Sequence, residues 1–481
     1  MIMFFELQLS LYFDIRSKFP ILCLDATGSI CPDDPLSGKR IFYYGLVPMN
    51  AVGETAKVPV AEFLSSTQSG SSINYFLEFW KSHLLKSHAT CRMPRAFLID
   101  CCFAELLAIM KLSSITVERY LSVTHMKYKA CKNEVVSVPS LPSMVFFCLN
   151  HLVKDLSRLL TKKMSSLDKT TKRWMIRCFG LLQAGVSKKE VFGYWRRMVV
   201  VYESAYATEH VSSAIDDLTK SWEHLRETSL SEKEDADMKN ISDNEDDVGD
   251  DHHVSIPHEG KRYKDFSPFA WDFHEIRVKI VNRINSVPTE GLEKNMYYFP
   301  KYLNILLETA QFFPLFPLWS AIFIKGRFPD CKTGRLSAAG MESSIKTTKI
   351  SLLENKRHRP ADVIRLLEKP TYGKTVKAYN ENSQKLAKRL VKKSINILNR
   401  EIGSCEAVWK PKRRYSRPLH FPICKEGNGE PPLKKRNVSF LFQSESSNQS
   451  AAVNTSSLAV MQSERSQSPV PIQNSSVTVI Q

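Results

Sequence analysis

Two short apolar runs, each closed by an aspartate, constrain this chain more than any other feature. Residues 20–24 (Pro-Ile-Leu-Cys-Leu) lead into Asp25 and the small, turn-forming Ala-Thr-Gly-Ser at 26–29, and residues 96–99 (Ala-Phe-Leu-Ile) lead into Asp100. A run of four or five apolar residues followed by turn chemistry reads as a strand buried on both faces, which requires helices on both sides of a sheet. The rest of 19–137 agrees. Turn residues at 33–38 separate the first run from strand patterns at 41–48 and 58–64. Ser71 and Ser72 can cap a helix through Leu85 that carries Ile73, Phe76, Leu77 and Trp80 at helical spacing. Pro94 ends that unit, 96–99 forms the fourth strand, and 104–110 reads as a helix. Three strands, a helix, a strand and a helix is an α/β order.

From about 141 to 323 the periodicity turns helical, with apolar stripes over 146–160, 172–183, 188–202, 211–226, 273–285 and 302–312. Within that block, 229–258 is acidic and poor in apolar residues, and reads as a disordered loop. Its histidines, His252, His253 and His258, read as part of a solvated linker. The expected organisation is therefore 1–137 with both aspartates, a helical block 138–325 containing the loop, a closing helical part 326–402, and a basic then Ser/Asn/Gln-rich tail 403–481. No internal repeat is visible.

Charge indicates the kind of partner. The chain has 67 Lys+Arg against 50 Asp+Glu, a formal net charge of +17. Such a surface attracts polyphosphate backbones through counterion release, so nucleic acid leads and no membrane partner is expected. The apolar opening, 1–13, carries Glu6, lacks a basic flank and is too short to span a bilayer. The 11 cysteines are odd in number and several lie in apolar runs, which argues for a reducing compartment, cytosol or nucleus.

Glu342 lies in Ala-Ala-Gly-Met-Glu-Ser-Ser-Ile-Lys at 338–346, the first turns of a helix by pattern. Two strand-end aspartates and a helical glutamate suit a pair of magnesium ions about 3.5–4 Å apart, which take oxygen ligands and transfer phosphoryl groups. Taken singly, each acid also reads as an ordinary turn or helix-surface residue.

The arrangement resembles a known family. Leu-Asp-Ala-Thr-Gly-Ser (24–29), Arg-Ile-Phe-Tyr-Tyr-Gly-Leu-Val (40–47), Val-Pro-Val-Ala-Glu-Phe-Leu-Ser (58–65), Leu-Ile-Asp-Cys-Cys-Phe-Ala-Glu (98–105), the Cys-x-x-His pair Cys148 and His151, and Ala339-Gly-Met-Glu342 with Lys349 and Arg359-Pro-Ala-Asp362 are similar to segments of DDE transposases of the Mutator-like type. The resemblance spans roughly 20–370. It implies an α/β, RNase H-like mixed sheet interrupted by a large all-helical insertion, with a disordered C-terminal tail. It further implies Mg2+ or Mn2+ held by Asp25, Asp100 and Glu342, with Asp25 bridging, and nicking and strand transfer at transposon ends. Cys148 and His151 would lie near that active site. Only 24 residues precede Asp25, without the metal-ligand cluster such enzymes carry there, so a truncated or domesticated copy is the expectation; Ala338 and Ala339 also replace a polar position before the glutamate.

Two functions follow: DNA cleavage and strand transfer, or a non-catalytic nuclear DNA-binding protein that keeps the fold. A zinc-organised helical interaction protein is a third, for which Cys148 and His151 alone are too few ligands, so Zn2+ is not expected. Lys385, Lys388, Arg389, Lys392 and Lys393 alternate with apolar residues and are the DNA-backbone candidates, or else a solvated basic face. Lys412, Arg413, Arg414, Lys434, Lys435 and Arg436 form two short clusters that read as nuclear-import signals. A homo-oligomer is compatible with all of this.

Overall fold

Strand Ile21–Thr27 (β2) is central because its residues are buried on both faces almost throughout. In the computed structural model it pairs antiparallel with Phe42–Met49 (β3) on one side and parallel with Ala96–Ile99 (β5) on the other. Ala61–Ser65 (β4) pairs antiparallel with β3, Ile2–Met3 (β1) with β4, and Met144–Phe147 (β6) runs parallel to β5. The result is a six-stranded mixed sheet, β1-β4-β3-β2-β5-β6. The structure describes residues 1–28, 30–34, 37–56, 58–131, 143–229, 267–288, 290–331, 336–354 and 356–409, with backbone alone at 344, 386, 390, 391, 393–395 and 397–409.

Helices cover both faces, as a doubly buried sheet requires. Glu6–Ile15 (α1) leads into β2, and Gly70–Ser87 (α2) starts at Ser69, whose hydroxyl accepts from the Ser72 N–H. Phe76 of α2 stacks on Phe63, and Phe63 on Tyr44, at 4.1 and 4.3 Å between ring centroids. Phe103–Leu112 (α3) packs beside α2, and Val117–Ala130 (α4) follows. After β6 every described element is helical: Leu149–Lys163 (α5), Lys169–Ala184 (α6), Lys188–Glu203 (α7), Glu209–Ser229 (α8), Pro268–Ile284 (α9), Pro300–Glu308 (α10), the 3-10 turn Phe313–Leu318, Ala321–Arg327 (α11), Ala339–Thr347 (α12) with a π turn to Leu352, and Pro360–Trp409 (α13).

The helical body is organised by aromatics. Phe313 packs on Phe273 at 3.9 Å and on Trp195 at 4.8 Å, and Phe316 meets Trp319 edge-on at 5.0 Å. Their polar ends are satisfied: Trp195 Nε1 donates to the Phe273 carbonyl, Trp319 Nε1 to that of Phe312, and the Tyr302 hydroxyl to that of Met175. This core is continuous with that of the sheet. No single described helix is long and apolar enough to cross a membrane. Residues from Glu381 belong to a second unit, whose described part continues as helix to Trp409.

The structure departs from the sequence reading in five places. Residues 144–147 are strand β6, not the start of a helix over 146–160; a short apolar run fits either state, and pairing with β5 decides it. The opening segment supplies β1 and α1, and α4 extends the α/β part, neither of which periodicity singled out. The third strand begins at Ala61 rather than 58. The last helix passes Gly403, where the tail was expected to start. The acidic stretch 230–258, its histidines, and the tail beyond 409 lie outside the described residues.

Candidate active site

Strand register builds the site. Leu24 pairs with Ile99, and Ile99 with Phe147. One step further along three adjacent strands, Asp25, Asp100 and Cys148 therefore stand abreast. The Cys148 N–H extends the ladder by donating to the Ile99 carbonyl at 2.7 Å, and the Cys102 N–H turns back to the Asp100 carbonyl at 2.5 Å. Cys148 is also the N-cap of α5, which sets His151 one turn later, above the same sheet edge.

Glu342 comes from far along the chain, and a glycine makes room for it. Asp25 is paired with Gly45 across β2 and β3. A Cβ on Gly45 would sit 2.5 Å from Cε of Met341, so with α12 seated there the end of that side chain would have to swing aside. The segment before α12 is tied to the start of α5: Leu149 N–H donates to the Leu336 carbonyl, Asn150 Nδ2 to Ser337 Oγ at 3.1 Å, and Ala338 N–H to Cys148 Sγ at 3.2 Å. Glu342 consequently reaches His151, which Asp100 also meets. His151 Nδ1 lies 2.8 Å from Asp100 Oδ1 and 3.6 Å from Glu342 Oε1.

Electrostatics mark the cluster as incomplete in charge. Burial, then repulsion from Asp100 and from Glu342, holds Asp25 well above the usual carboxylate range against the pull of His151. Burial opposes the charged ring of His151, but the charge and contact of Asp100 outweigh it and raise its proton affinity well above the ordinary value. Glu105, in the first turn of α3, is a fourth acid: it is 2% exposed, its Oε2 has no hydrogen-bond partner, and burial followed by repulsion from Asp100 and Asp25 raises it as well. The sequence reading passed over it. Its signal was a lone acid heading the apolar run Leu-Leu-Ala-Ile-Met, five positions after Asp100.

Carboxylates crowded together in low dielectric favour the neutral form unless a cation neutralises them. Three of the four acids, Asp100, Glu105 and Glu342, have a buried oxygen that makes no hydrogen bond among the described residues. Together the four form a donor set suited to a hard divalent ion. Separately, Asp100, Cys148 and His151 each offer a ligand atom within 4.8 Å of the others, a group able to hold a metal ion. Cys148 is fully buried and its sulfur accepts a backbone hydrogen bond.

A further buried acid lies across the same face. Glu62 pairs with Gly45 from β4, its Oε1 accepts from the Tyr43 hydroxyl, and burial lifts its pKa to about 7 despite that bond, Lys374 and Thr371. Of the basic residues put forward for DNA, Lys385, Lys388, Arg389 and Lys392 are exposed on α13. The side chain of Lys393 and the clusters Lys412–Arg414 and Lys434–Arg436 lie outside the described residues. The chain matches no family model, and no curated protein matches it.

Proposed function

We propose that this chain is a phosphoryl-transfer protein of the RNase H-like, DDE-transposase type, cleaving and joining DNA phosphodiesters. The observation that carries the reading is that Asp100 and Glu342 both meet His151 while Asp25 stands abreast of Asp100 on the adjacent strand, two parallel strands and a distant helix supplying the three acids. The sheet order supports it: three successive antiparallel strands (β2, β3, β4) followed by two parallel to the first (β5, β6) is the arrangement expected of an RNase H-like core. The run of helices between β6 and α12 is compatible with the insertion the resemblance implies.

Asp25, Asp100 and Glu342 would hold magnesium or manganese, with Glu105 behind them. Bound ions supply Lewis-acid activation of the attacking oxygen and stabilisation of the leaving one. The chain's own contribution is positioning. The sheet keeps two carboxylates abreast, Met341 on Gly45 sets the height of Glu342, and His151 orients Asp100. The net charge of +17 draws the DNA backbone toward these acids, and a DNA substrate implies work in the nucleus.

Nicking of supercoiled plasmid tests the reading. Wild type with Mg2+ or Mn2+ should relax the plasmid, and Asp25→Asn should lower the rate at least about a hundredfold, as expected for losing a group that acts on the transition state. Equal background rates in both would move the chain to a DNA-binding protein that keeps the fold without the chemistry.

A further inference from the structure

Beside the carboxylates, groups of a different chemistry face one spot. Magnesium takes oxygen and has little use for a thiol or an imidazole. Zinc takes both, in a tetrahedron with bonds of about 2.0–2.3 Å, which sets ligand atoms roughly 3.3–3.8 Å apart. Here the ring nitrogen of His151 stands 2.8 Å from Asp100 Oδ1 and 3.6 Å from Glu342 Oε1, and Cys148 Sγ falls within 4.8 Å of the first two residues' ligand atoms. For Asp100, Cys148 and His151 those separations straddle the tetrahedral range, so shifts of about 1 Å would bring the three onto one ion, while Glu342, outside that group, reaches it from the His151 side.

Two independent features favour a metal ligand over a packed thiol. The Ala338 N–H donates to Cys148 Sγ, the kind of outer-shell bond that supports a metal-bound thiolate. Asp100 Oδ1 and Glu342 Oε1 are both buried and face the imidazole, 2.8 and 3.6 Å from its Nδ1. The ligands also sit on rigid backbone: Cys148 closes β6 and caps α5, and His151 is in the first turn. Asp100 ends β5, and Glu342 is anchored through Met341 on Gly45.

We infer that Asp100, Cys148 and His151, with Glu342 completing the shell, bind one zinc-class ion at the edge of the acidic cluster. Binding releases the thiol proton of Cys148 and the imidazolium proton of His151 to solvent, and forms bonds from Sγ and Nδ1 to the metal without change of oxidation state. The site itself stands on ligand geometry. One consequence rests on the phosphoryl-transfer reading: the ion takes Asp100 and Glu342 from a magnesium pair, so zinc is an inhibitor of nicking.

Cobalt(II) added to the full-length chain is the probe. Wild type should develop a thiolate-to-cobalt charge-transfer band and intense visible bands of a tetrahedral ion, saturating at one equivalent and bleached by one equivalent of zinc. Cys148→Ala should lose the charge-transfer band, and His151→Gln should bind cobalt at least tenfold more weakly; circular dichroism without metal checks that each is folded. A wild type with no such band overturns the inference. So does Cys148→Ala with the band intact, or His151→Gln binding as tightly as wild type, so a folding failure in one variant leaves the other decisive. Zinc should suppress magnesium-dependent nicking at the concentration that displaces cobalt. A chain that never nicks counts against the catalytic reading and leaves the cobalt result standing.

Discussion

Glu105 and Glu62 are buried carboxylates a few strands apart, and they are held in different ways. Glu105 has an oxygen without a partner and two aspartates for neighbours. The capping role open to an acid at this position is taken, because the Cys102 N–H already donates to Asp100. Leaving a buried polar atom unsatisfied costs on the order of 1–3 kcal/mol. Glu105→Gln is therefore expected to raise the melting temperature of the metal-free chain and to shrink the stabilisation that Mn2+ provides, both measurable by thermal unfolding with and without the ion. An unchanged manganese shift would remove Glu105 from the cluster. Glu62 is instead bonded by Tyr43 and faced by Thr371 and Lys374, yet burial dominates and its pKa rises from 4.5 to about 7. A raised carboxyl pKa means the fold prefers the protonated form. Its stabilisation is complete below about pH 4.5 and is lost as pH climbs through about 7, by on the order of 3 kcal/mol. Urea midpoints across that window should fall in wild type and stay nearly level in Glu62→Gln. At this scale the sequence displayed Asp25, Asp100 and Glu342 because each sits in a recognisable local setting. Glu105 and Glu62 sit among apolar residues, where only the packing reveals what surrounds them.

Among the elements, the seat of α12 on β3 is where local and distant sequence meet. Gly45→Ala inserts a methyl group 2.5 Å from Met341 Cε. The clash falls on the terminal methyl of Met341, which can swing aside, so the loss of stability should sit at the low end of the roughly 1–3 kcal/mol typical of overpacking; the larger effect should be on Glu342, whose position depends on that contact. Nicking should drop at least about tenfold, more than the loss of stability measured by denaturant, and adding Met341→Ala should restore part of the stability. A Gly45→Ala chain with wild-type nicking would break the link between this seat and the site. Caps far from the site behave differently. Asp168 accepts from both the N–H and the hydroxyl of Thr171, and Asp168→Ala should lower the melting temperature slightly while leaving nicking unchanged. Most long helices were legible because an apolar stripe at 3.6-residue spacing repeats over several turns. The four-residue strand β6 was not, since Met-Val-Phe-Phe carries too little period to tell strand from helix.

Over the whole molecule, charge is what the proposed DNA binding rests on. A net charge of +17 predicts binding that weakens steeply with salt. Replacing the exposed Lys385, Lys388, Arg389 and Lys392 by Ala should make the log–log salt slope shallower by on the order of 3 if all four contact phosphate. Fluorescence anisotropy on a short duplex at several salt concentrations measures it, and an unchanged slope would leave these residues a solvated face. The sequence alone determined the alternation of strands and helices, the basic surface and the set of residues able to do chemistry. Each of these is carried by composition or by a period within a few residues. Tertiary structure alone decided which of them meet. Strand register sets Asp25, Asp100 and Cys148 side by side, and packing on Gly45 brings Glu342 to His151 from almost two hundred positions away. Such contacts arise from sheet order and the fit of one surface on another, which leave no mark at the spacing of a strand or a helical turn.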